Sequence, residues 1–230
     1  MRRGMKTALV GVAAAAAVFP AGASAEERKC RGTIGTATVD NLRVPQGATC
    51  KLNGTKVKGT VKVERAATLD AYRVRVIGNV QGENARSVTV RGGSRVGGSV
   101  QVKQGGQAKV QSSFINADIL FDHDRGPLAI RDNVVGGNVQ GFQNRGGFEI
   151  SRNRIDGNLQ CKENSPRPVG GGNRVQGNKE DQCARLAASP LAVTRSVAAA
   201  GPGRRRRSWA RHHEKALTFV SRHSHAPRRF

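Results

Sequence analysis

Aromatic residues are scarce in this 230-residue chain, which holds one tryptophan, one tyrosine and seven phenylalanines. Between residues 26 and 183 the whole aromatic stock is Tyr72, Phe114, Phe121, Phe142 and Phe148. The same range has one histidine, His123, and no long insertion that would build the walls of a substrate cleft. These absences disfavour an enzyme with a deep, aromatic-lined pocket.

A long apolar run is also missing. The best candidate, residues 8–19, is too short to span a bilayer comfortably, since a spanning helix needs about 20 apolar residues. It follows three basic residues and precedes an Ala-x-Ala site at residues 23–25, the pattern of a secretory signal peptide. We therefore predict a signal peptide over residues 1–25, a secreted protein of the extracellular space or cell envelope, and no stable membrane insertion after cleavage. An N-terminal membrane anchor is the alternative.

Acidic residues are few, because 16 Asp and Glu oppose 39 Lys and Arg for a net charge of +23. Residues 184–230 carry +10 of this charge in 47 positions that are rich in Arg, Ala and Pro. Such a composition predicts a disordered basic tail, which would bind nucleic acid only non-specifically, or contact anionic polymers or membranes. A solvated tail without a role and an altered reading frame after Cys183 are the alternatives.

A repeat dominates the middle of the chain. The motif Val-x-Gly-Asn-Val, or a close relative of it, returns at a nearly constant interval. Its first positions are Val57, Val76, Val96, Ile115, Val135, Ile155 and Val175. A period that short indicates a solenoid whose coils stack on one another, and it leaves no room for a helix in each coil.

Within each repeat, apolar and polar residues alternate over short runs, as in residues 100–102, which is typical of half-buried strands. Glycine occurs two residues after six of the seven motif starts, where a corner needs a permissive backbone, and Ala117 takes its place in the remaining repeat. Columns at one-coil spacing, such as Asn133, Asn153 and Asn173, predict side-chain ladders between coils. We therefore predict an all-β fold: a single-stranded right-handed parallel β-helix (β-solenoid) of about seven to eight coils of 19–20 residues over residues 26–183.

The four cysteines are placed to close the two ends of this solenoid. The spacing from Cys30 to Cys50 is close to one repeat, and so is the spacing from Cys161 to Cys183. Residues one coil apart stack at about 4.8 Å, within the Cα separation that a disulfide requires. We predict the pairs Cys30–Cys50 and Cys161–Cys183, since the other pairings would cross most of the rod, and reduced thiols are the alternative. No Cys-x-x-Cys or nearby His supports a metal site, and no cofactor is predicted.

The run Val-x-Gly-Asn-Val-Gln, as in residues 76–81 and 135–140, resembles the repeats of right-handed parallel β-helix proteins. The repeats are most similar to the bactofilin-type polymer-forming proteins and to small secreted bacterial β-solenoids of unassigned function. The resemblance covers residues 38–180 and implies a parallel β-helix. From the bactofilins it also implies end-to-end growth into a polymer, which is one alternative for the function. The signal peptide and the cysteines depart from that cytoplasmic family.

Parallel β-helices also include polysaccharide lyases and hydrolases, which use clustered carboxylates, a calcium ion or a basic residue on one face. The best candidates for such chemistry here are Asp122, His123 and Asp124, as an acid–base pair or a hard-cation site. Asp124 falls in a column otherwise filled by Asn, however, which is typical of a corner residue. We therefore predict no enzymatic activity, with a carbohydrate-active enzyme as the alternative.

A flat, regular face is better suited to binding than to catalysis. Gln81, Gln101, Gln140 and Gln160 recur in one column and would present evenly spaced amides along the rod. An amide ladder without a ligand is the alternative interpretation of the same column. Basic residues concentrate in the first half of the solenoid and favour anionic partners. We predict a structural or surface-binding module whose partner is an anionic cell-wall polymer or polysaccharide.

Overall fold

The structure is a computed structural model that describes residues 26–184 and 186. Within that range the chain forms 25 β-strands of two to five residues and no helix. The strands are short because a polar corner interrupts each run of alternating apolar residues. The predicted signal peptide and nearly all of the predicted tail lie outside the described residues. Among the residues that are described, no helix is long and apolar enough to cross a membrane.

All strands belong to three parallel sheets, which we call face 1, face 2 and face 3 in the order in which the chain visits them. Face 1 contains Glu27–Lys29, Asn41–Val44, Val61–Val63, Val80–Glu83, Val100–Lys103, Ile119–Asp122, Val139–Phe142, Leu159–Lys162 and Lys179–Asp181. Face 2 contains Thr33–Ile34, Thr49–Asn53, Thr68–Tyr72, Ser87–Arg91, Gln107–Gln111, Leu128–Arg131, Phe148–Ser151 and Val169–Gly171. Face 3 contains Thr38–Val39, Lys56–Val57, Arg75–Val76, Arg95–Val96, Phe114–Ile115, Val134–Val135, Arg154–Ile155 and Arg174–Val175. The parallel β-solenoid predicted from the repeat is thereby confirmed, while its right-handedness stays a prediction.

Equivalent positions of neighbouring repeats are paired in register. On face 1 Val80 pairs with Val100, one period later. The first coil is the exception, because Glu27 pairs with Asn41 although the chain between them is clearly shorter than one repeat. The repeat motif does not reach this shortened coil, so the period alone does not predict its strands.

The motif starts form the inner side of face 3. Six of the seven are buried, and only Val175, near the end of the stack, is half-buried. Phe121 and Phe148 fill the centre of the rod, with their ring centroids 5.8 Å apart. Gly141 occupies the inner side of face 1 beside them, because a Cβ at this position would collide with the Phe148 ring. The core is therefore a stack of β-branched residues with one aromatic pair, and a bare backbone position accommodates that pair.

The glycines two residues after each motif start are required for a reason other than the one the sequence suggests. Gly59 and Gly78 do not adopt the left-handed φ that favours glycine. A Cβ on Gly78 would lie 2.7 Å from the carbonyl oxygen of Gly59, so close approach of successive coils excludes a side chain. Left-handed φ values occur at other corners, at non-glycine residues such as Gln104 and His123. The need for a permissive backbone, which the sequence suggests, is therefore not what requires glycine in this column.

Candidate functional site

Two columns of polar side chains are buried beneath the corners of the rod. In the first, Oδ1 of Asn153 accepts hydrogen bonds from the backbone N–H and the amide of Asn133, both at 3.0 Å. Nδ2 of Asn153 donates to the carbonyl oxygen of Ile130 at 2.8 Å. The second column is built in the same way from Asp124, Asn144 and Asn164. These side chains satisfy backbone groups that a corner would otherwise bury unpaired.

A third column of polar side chains is oriented in the opposite direction along the rod. Oδ1 of Asp118 accepts from the N–H of Asn138 at 2.7 Å. Asn138 in turn accepts from Asn158, and Asn158 from Asn178, both at 2.8 Å. Here the acceptor belongs to the preceding coil, whereas in the two buried columns it belongs to the following coil. Side chains therefore bind each central coil to both of its neighbours.

Replacing Asn153 by alanine should destabilise the solenoid by roughly 2–4 kcal/mol, because the buried N–H of Asn133 and the carbonyl of Ile130 lose their partners. Denaturant unfolding followed by circular dichroism measures this loss. Asn178→Ala is the matched control, since this asparagine ends the third column and is exposed. We expect the control to change stability by less than about 0.5 kcal/mol. Equal losses in both variants would show that the buried ladder contributes nothing specific.

The three catalytic candidates do not converge on one site. Asp122 and His123 lie at the end of the strand Ile119–Asp122, with His123 Nδ1 2.7 Å from Asp122 Oδ1. Asp124 turns inward and is fully buried in its ladder. Within residues 26–184 and 186, no group of three His, Cys, Asp or Glu is arranged to hold a metal ion. The structure thus offers an acid–histidine pair at the surface, separated from the third carboxylate.

Asp124 differs chemically from the asparagines of its own ladder. Its Oδ1 accepts from the N–H of Gly105 at 2.7 Å, but its buried Oδ2 has no donor among the described residues. In Asn144 and Asn164 the corresponding group is an amide nitrogen that donates to a backbone carbonyl oxygen. Burial raises the pKa of Asp124 from 3.8 to about 7, against the opposing effect of the Gly105 hydrogen bond. The ladder therefore contains one group that titrates near neutrality.

The predicted glutamine column lies on the outer side of face 1. Gln140 donates to Gln160 at 2.8 Å, and Gln160 donates to Glu180 at 2.7 Å, so this half of the column forms an amide ladder. Gln81 and Gln101 line a shallow cavity of about 630 Å³, together with side chains of both charge signs. A ligand-binding role for these glutamines stays a prediction.

Both predicted disulfides are present, one at each end of the solenoid. Cys30 and Cys50 are joined with their Cα atoms 5.5 Å apart, and Cys161 and Cys183 with theirs 5.2 Å apart. All four cysteines are buried. The terminal strands of face 1 bury no apolar side chain, and their outermost backbone groups lie next to charged residues. End-to-end polymerisation stays a prediction, and these polar, closed ends argue against it.

Several ion pairs join neighbouring coils on face 1 and face 2. On face 2 the guanidinium of Arg91 donates two hydrogen bonds of 3.0 Å to Asp70, and Arg131 pairs with Glu149. On face 1 Arg43 pairs with a glutamate of the neighbouring coil at 2.7 Å. Acidic and basic residues are therefore interspersed on these two faces, which reduces their attraction for a polyanion.

Face 3 carries a column of exposed residues that is mostly basic. In the seven strands of face 3 that follow Thr38–Val39, the outward residue is the one immediately before the motif start: Lys56, Arg75, Arg95, Phe114, Val134, Arg154 or Arg174. Lys56 is paired in register with Arg75, and Arg75 with Arg95, so the charges follow one another from coil to coil. Of the five bases, only Arg154 forms an ion pair within the described part of the chain, with Asp156 at 3.4 Å. We call these seven residues the face 3 column.

The middle of the face 3 column is apolar. Phe114 and Val134 interrupt the bases, and Ile77 lies on the same face two coils before Phe114. Phe114, Val134 and Ile77 have 45%, 38% and 53% of their surfaces exposed. The guanidinium carbon of Arg95 lies over the Phe114 ring, 4.7 Å from its centroid. These residues line a shallow recess of about 570 Å³, which we call the face 3 recess. Face 3 thus combines a row of positive charge with a central apolar patch.

The face 3 column is not the binding surface that the sequence predicts, which is the glutamine column of face 1. The sequence nevertheless indicates the face 3 column, because each of the seven members of the column immediately precedes a motif start and five of them are basic. A search along the period for charge as well as for amides would identify it.

No family model matches the chain, and no curated protein or solved structure is significantly similar to it.

Proposed function

We propose that this chain is a secreted, non-enzymatic β-solenoid that binds an anionic polymer of the cell envelope along face 3. The observation that carries the proposal is the row of Lys56, Arg75 and Arg95 on three neighbouring coils. None of the three has an acidic partner among the residues that the structure describes. All three side chains are exposed to solvent.

The row of bases is unfavourable for the protein alone. Successive coils are about 4.8 Å apart, and like charges directly opposite each other on paired strands destabilise a sheet. A polyanion lying against face 3 would offset this repulsion and would release the counterions of both surfaces. The ligand would therefore stabilise the protein that binds it.

The direction of the row favours an extended ligand over a small anion. The face 3 column crosses the strands and follows the solenoid axis, and it spans six coil intervals from Lys56 to Arg174, or about 29 Å. A small anion would contact one or two of these bases at a time. A linear polymer with repeated negative charge would contact all five.

Two observations support export. Both disulfides are typical of proteins that mature in an oxidising compartment, since cytosolic thiols are kept reduced. The sequence pattern of residues 1–25 is that of a signal peptide. An exported protein with a basic face would meet the anionic polymers of the envelope first.

Two features of the site support a role without catalysis. Asp124 is already bonded within its ladder, so it is not presented to a substrate beside Asp122 and His123. The cavities of face 1 and face 3 are shallow because the coils carry no long insertions that would enclose a reacting group. Absence of turnover on uronic-acid polymers by the purified chain would agree with this part of the proposal, and turnover would contradict it.

Replacing Arg75 and Arg95 by glutamine in the full-length chain should weaken retention on an anionic cell-wall polymer by about 30-fold at low salt. Each base near an anionic surface contributes about 1 kcal/mol, and 1.4 kcal/mol corresponds to a tenfold change in affinity. The dependence of the affinity on salt concentration should also become less steep, because fewer counterions are released. Titration of the immobilised polymer at several salt concentrations measures both quantities.

Arg125→Gln with Arg145→Gln is the charge-matched control. These two arginines are also exposed, and they occupy adjacent coils at the corner between face 1 and face 2. The control has the same net charge and the same basic tail as the face 3 variant, so it measures the general effect of charge. Equal losses from the two double variants would contradict a site on face 3, and salt-insensitive or absent retention of the parent would contradict polyanion binding altogether.

A further inference from the structure

We infer that the face 3 recess binds an acidic sugar unit, so that the polymer recognised by face 3 is an acidic polysaccharide. This inference rests on the proposed function and names the class of its ligand. Three features occur together in this recess. They are an apolar patch, cations without an acidic partner among the described residues, and groups that can bind hydroxyls.

The apolar patch is concentrated at this one place. Four large apolar side chains are exposed in the described part of the chain, and Ile77, Phe114 and Val134 are three of them. All three line the same recess. Exposed apolar groups that cluster on an otherwise polar surface mark a binding site, because their contact with water is unfavourable. The C–H groups of a sugar ring provide the apolar partner that such a patch requires.

Two positions in the lining of the recess are bare backbone. Gly97 and Gly136 lie on the two sides of Asn116, and a Cβ on either glycine would collide with the carbonyl oxygen of the residue one coil before it. Close packing of the coils therefore excludes a side chain at these two positions, while Asn116 between them carries one. The recess of about 570 Å³ is within the range of sites that hold small ligands, roughly 300–1,000 Å³.

The polar groups around the recess suit a sugar that carries an anionic substituent. Arg75 and Arg95 border the apolar patch and would pair with a carboxylate or sulfate. Asn116 and Asp156 lie in the same lining and offer acceptors for hydroxyl groups. Asp156 already accepts from Gln176 at 3.1 Å, which holds its carboxylate in place.

The same groups disfavour the other common polyanions. A polyphosphate has no apolar face for the patch. A nucleobase requires a flat stacking partner, whereas two of the three apolar side chains here are branched aliphatic groups and Arg95 covers one face of the Phe114 ring. The acidic polysaccharide is therefore the ligand class that uses every part of the recess.

Phe114→Ser in the full-length chain tests the inference against three probes: polygalacturonate, inorganic polyphosphate and single-stranded DNA. We expect polygalacturonate to bind about fivefold more weakly, since an aromatic contact contributes on the order of 1 kcal/mol. Binding of polyphosphate should change less than about twofold. Phe142→Ser is the matched control, because Phe142 is a partly exposed phenylalanine on face 1, and it should change neither. Circular dichroism would verify that both variants keep the sheet structure.

The outcomes separate this inference from the proposed function. Equal effects of Phe114→Ser on polygalacturonate and polyphosphate, or no effect on either, would overturn the sugar site. A selective loss of DNA binding would overturn it in favour of a nucleic acid. The proposed function is tested separately. If the Arg75→Gln, Arg95→Gln variant retains polyphosphate less well than the parent, polyanion binding on face 3 is supported even when the sugar site is overturned.

Discussion

Asp124→Asn is expected to stabilise the solenoid by several kcal/mol at about pH 8.5 and to have little effect at about pH 4. The native pKa of Asp124, about 7, exceeds its unfolded value of 3.8, so the native state binds a proton that the unfolded state releases between these values. The parent therefore has its full stability at low pH and loses part of it as the pH rises to about 7. Each pH unit between the two pKa values corresponds to about 1.4 kcal/mol, which sets an upper limit of about 4 kcal/mol. Denaturant unfolding of parent and variant from pH 4 to 8.5 measures the difference.

The asparagine variant should regain the hydrogen bond that the carboxylate lacks. In Asn144 the amide nitrogen donates to the carbonyl oxygen of Phe121 at 3.0 Å, and an amide at position 124 would donate in the same way one coil earlier. The double variant Asp124→Asn, Asn144→Asp moves the carboxylate along the ladder by one coil, and it should again lose stability as the pH rises. A difference between parent and Asp124→Asn that does not vary with pH would contradict the role assigned to the buried carboxylate. So would a double variant whose own stability does not fall as the pH rises.

Removal of the Cys161–Cys183 disulfide by serine replacement should destabilise the chain by about 3 kcal/mol and should loosen the last coils selectively. The cross-link closes a loop of 22 residues, for which the chain-entropy model gives about 3 kcal/mol. In a solenoid each coil contacts only its neighbours, so the loss should be local. The strands from Val169 to Asp181 bury few apolar residues and depend most on the cross-link. Hydrogen exchange should accelerate there and remain slow around Phe121.

The Cys30–Cys50 pair provides the matched comparison at the other end. Its loop is 20 residues, so serine replacement of these two cysteines should cost a similar amount. Faster exchange should then appear in the strands Thr33–Ile34 and Thr38–Val39, with the last coils unaffected. If either variant accelerated exchange along the whole rod, the nearest-neighbour description of the solenoid would be wrong.

Much of the fold follows from the sequence because one constraint is repeated many times. The period of the motif places Val80 on Val100, and the same period applied to the cysteines yields both disulfides. The period does not predict the strand Glu27–Lys29, because the first coil is shorter than one repeat and lacks the motif. The sequence also suggests the wrong cause for the glycine column, since it does not show which carbonyl oxygen of the preceding coil a Cβ would meet.

The candidate site follows less directly, because exposed side chains are not constrained by packing. The residues of the face 3 column are as periodic as the core, but their significance depends on which acids lie near them in space. The sequence places Asp70 and Arg91 about one coil apart without showing that they pair. Arg75 and Arg95 have a similar spacing in the sequence. The sequence does not show, however, that both lack an acidic partner among the described residues. The consequence of burying Asp124 is similarly hidden, since a carboxylate and an amide have nearly the same shape.

The two orientations of the polar columns have a consequence for how such a protein changes in length. Because the asparagines of one type reach forward and those of the other reach back, the lower surface of one central coil fits the upper surface of the next. Duplication of a single repeat from the centre would therefore create a coil with partners on both sides. A duplicated repeat that carries a base in the face 3 column, such as the one with Arg95, would also lengthen the row of charges by one unit. During evolution, the length of ligand that face 3 contacts can therefore change in steps of one coil.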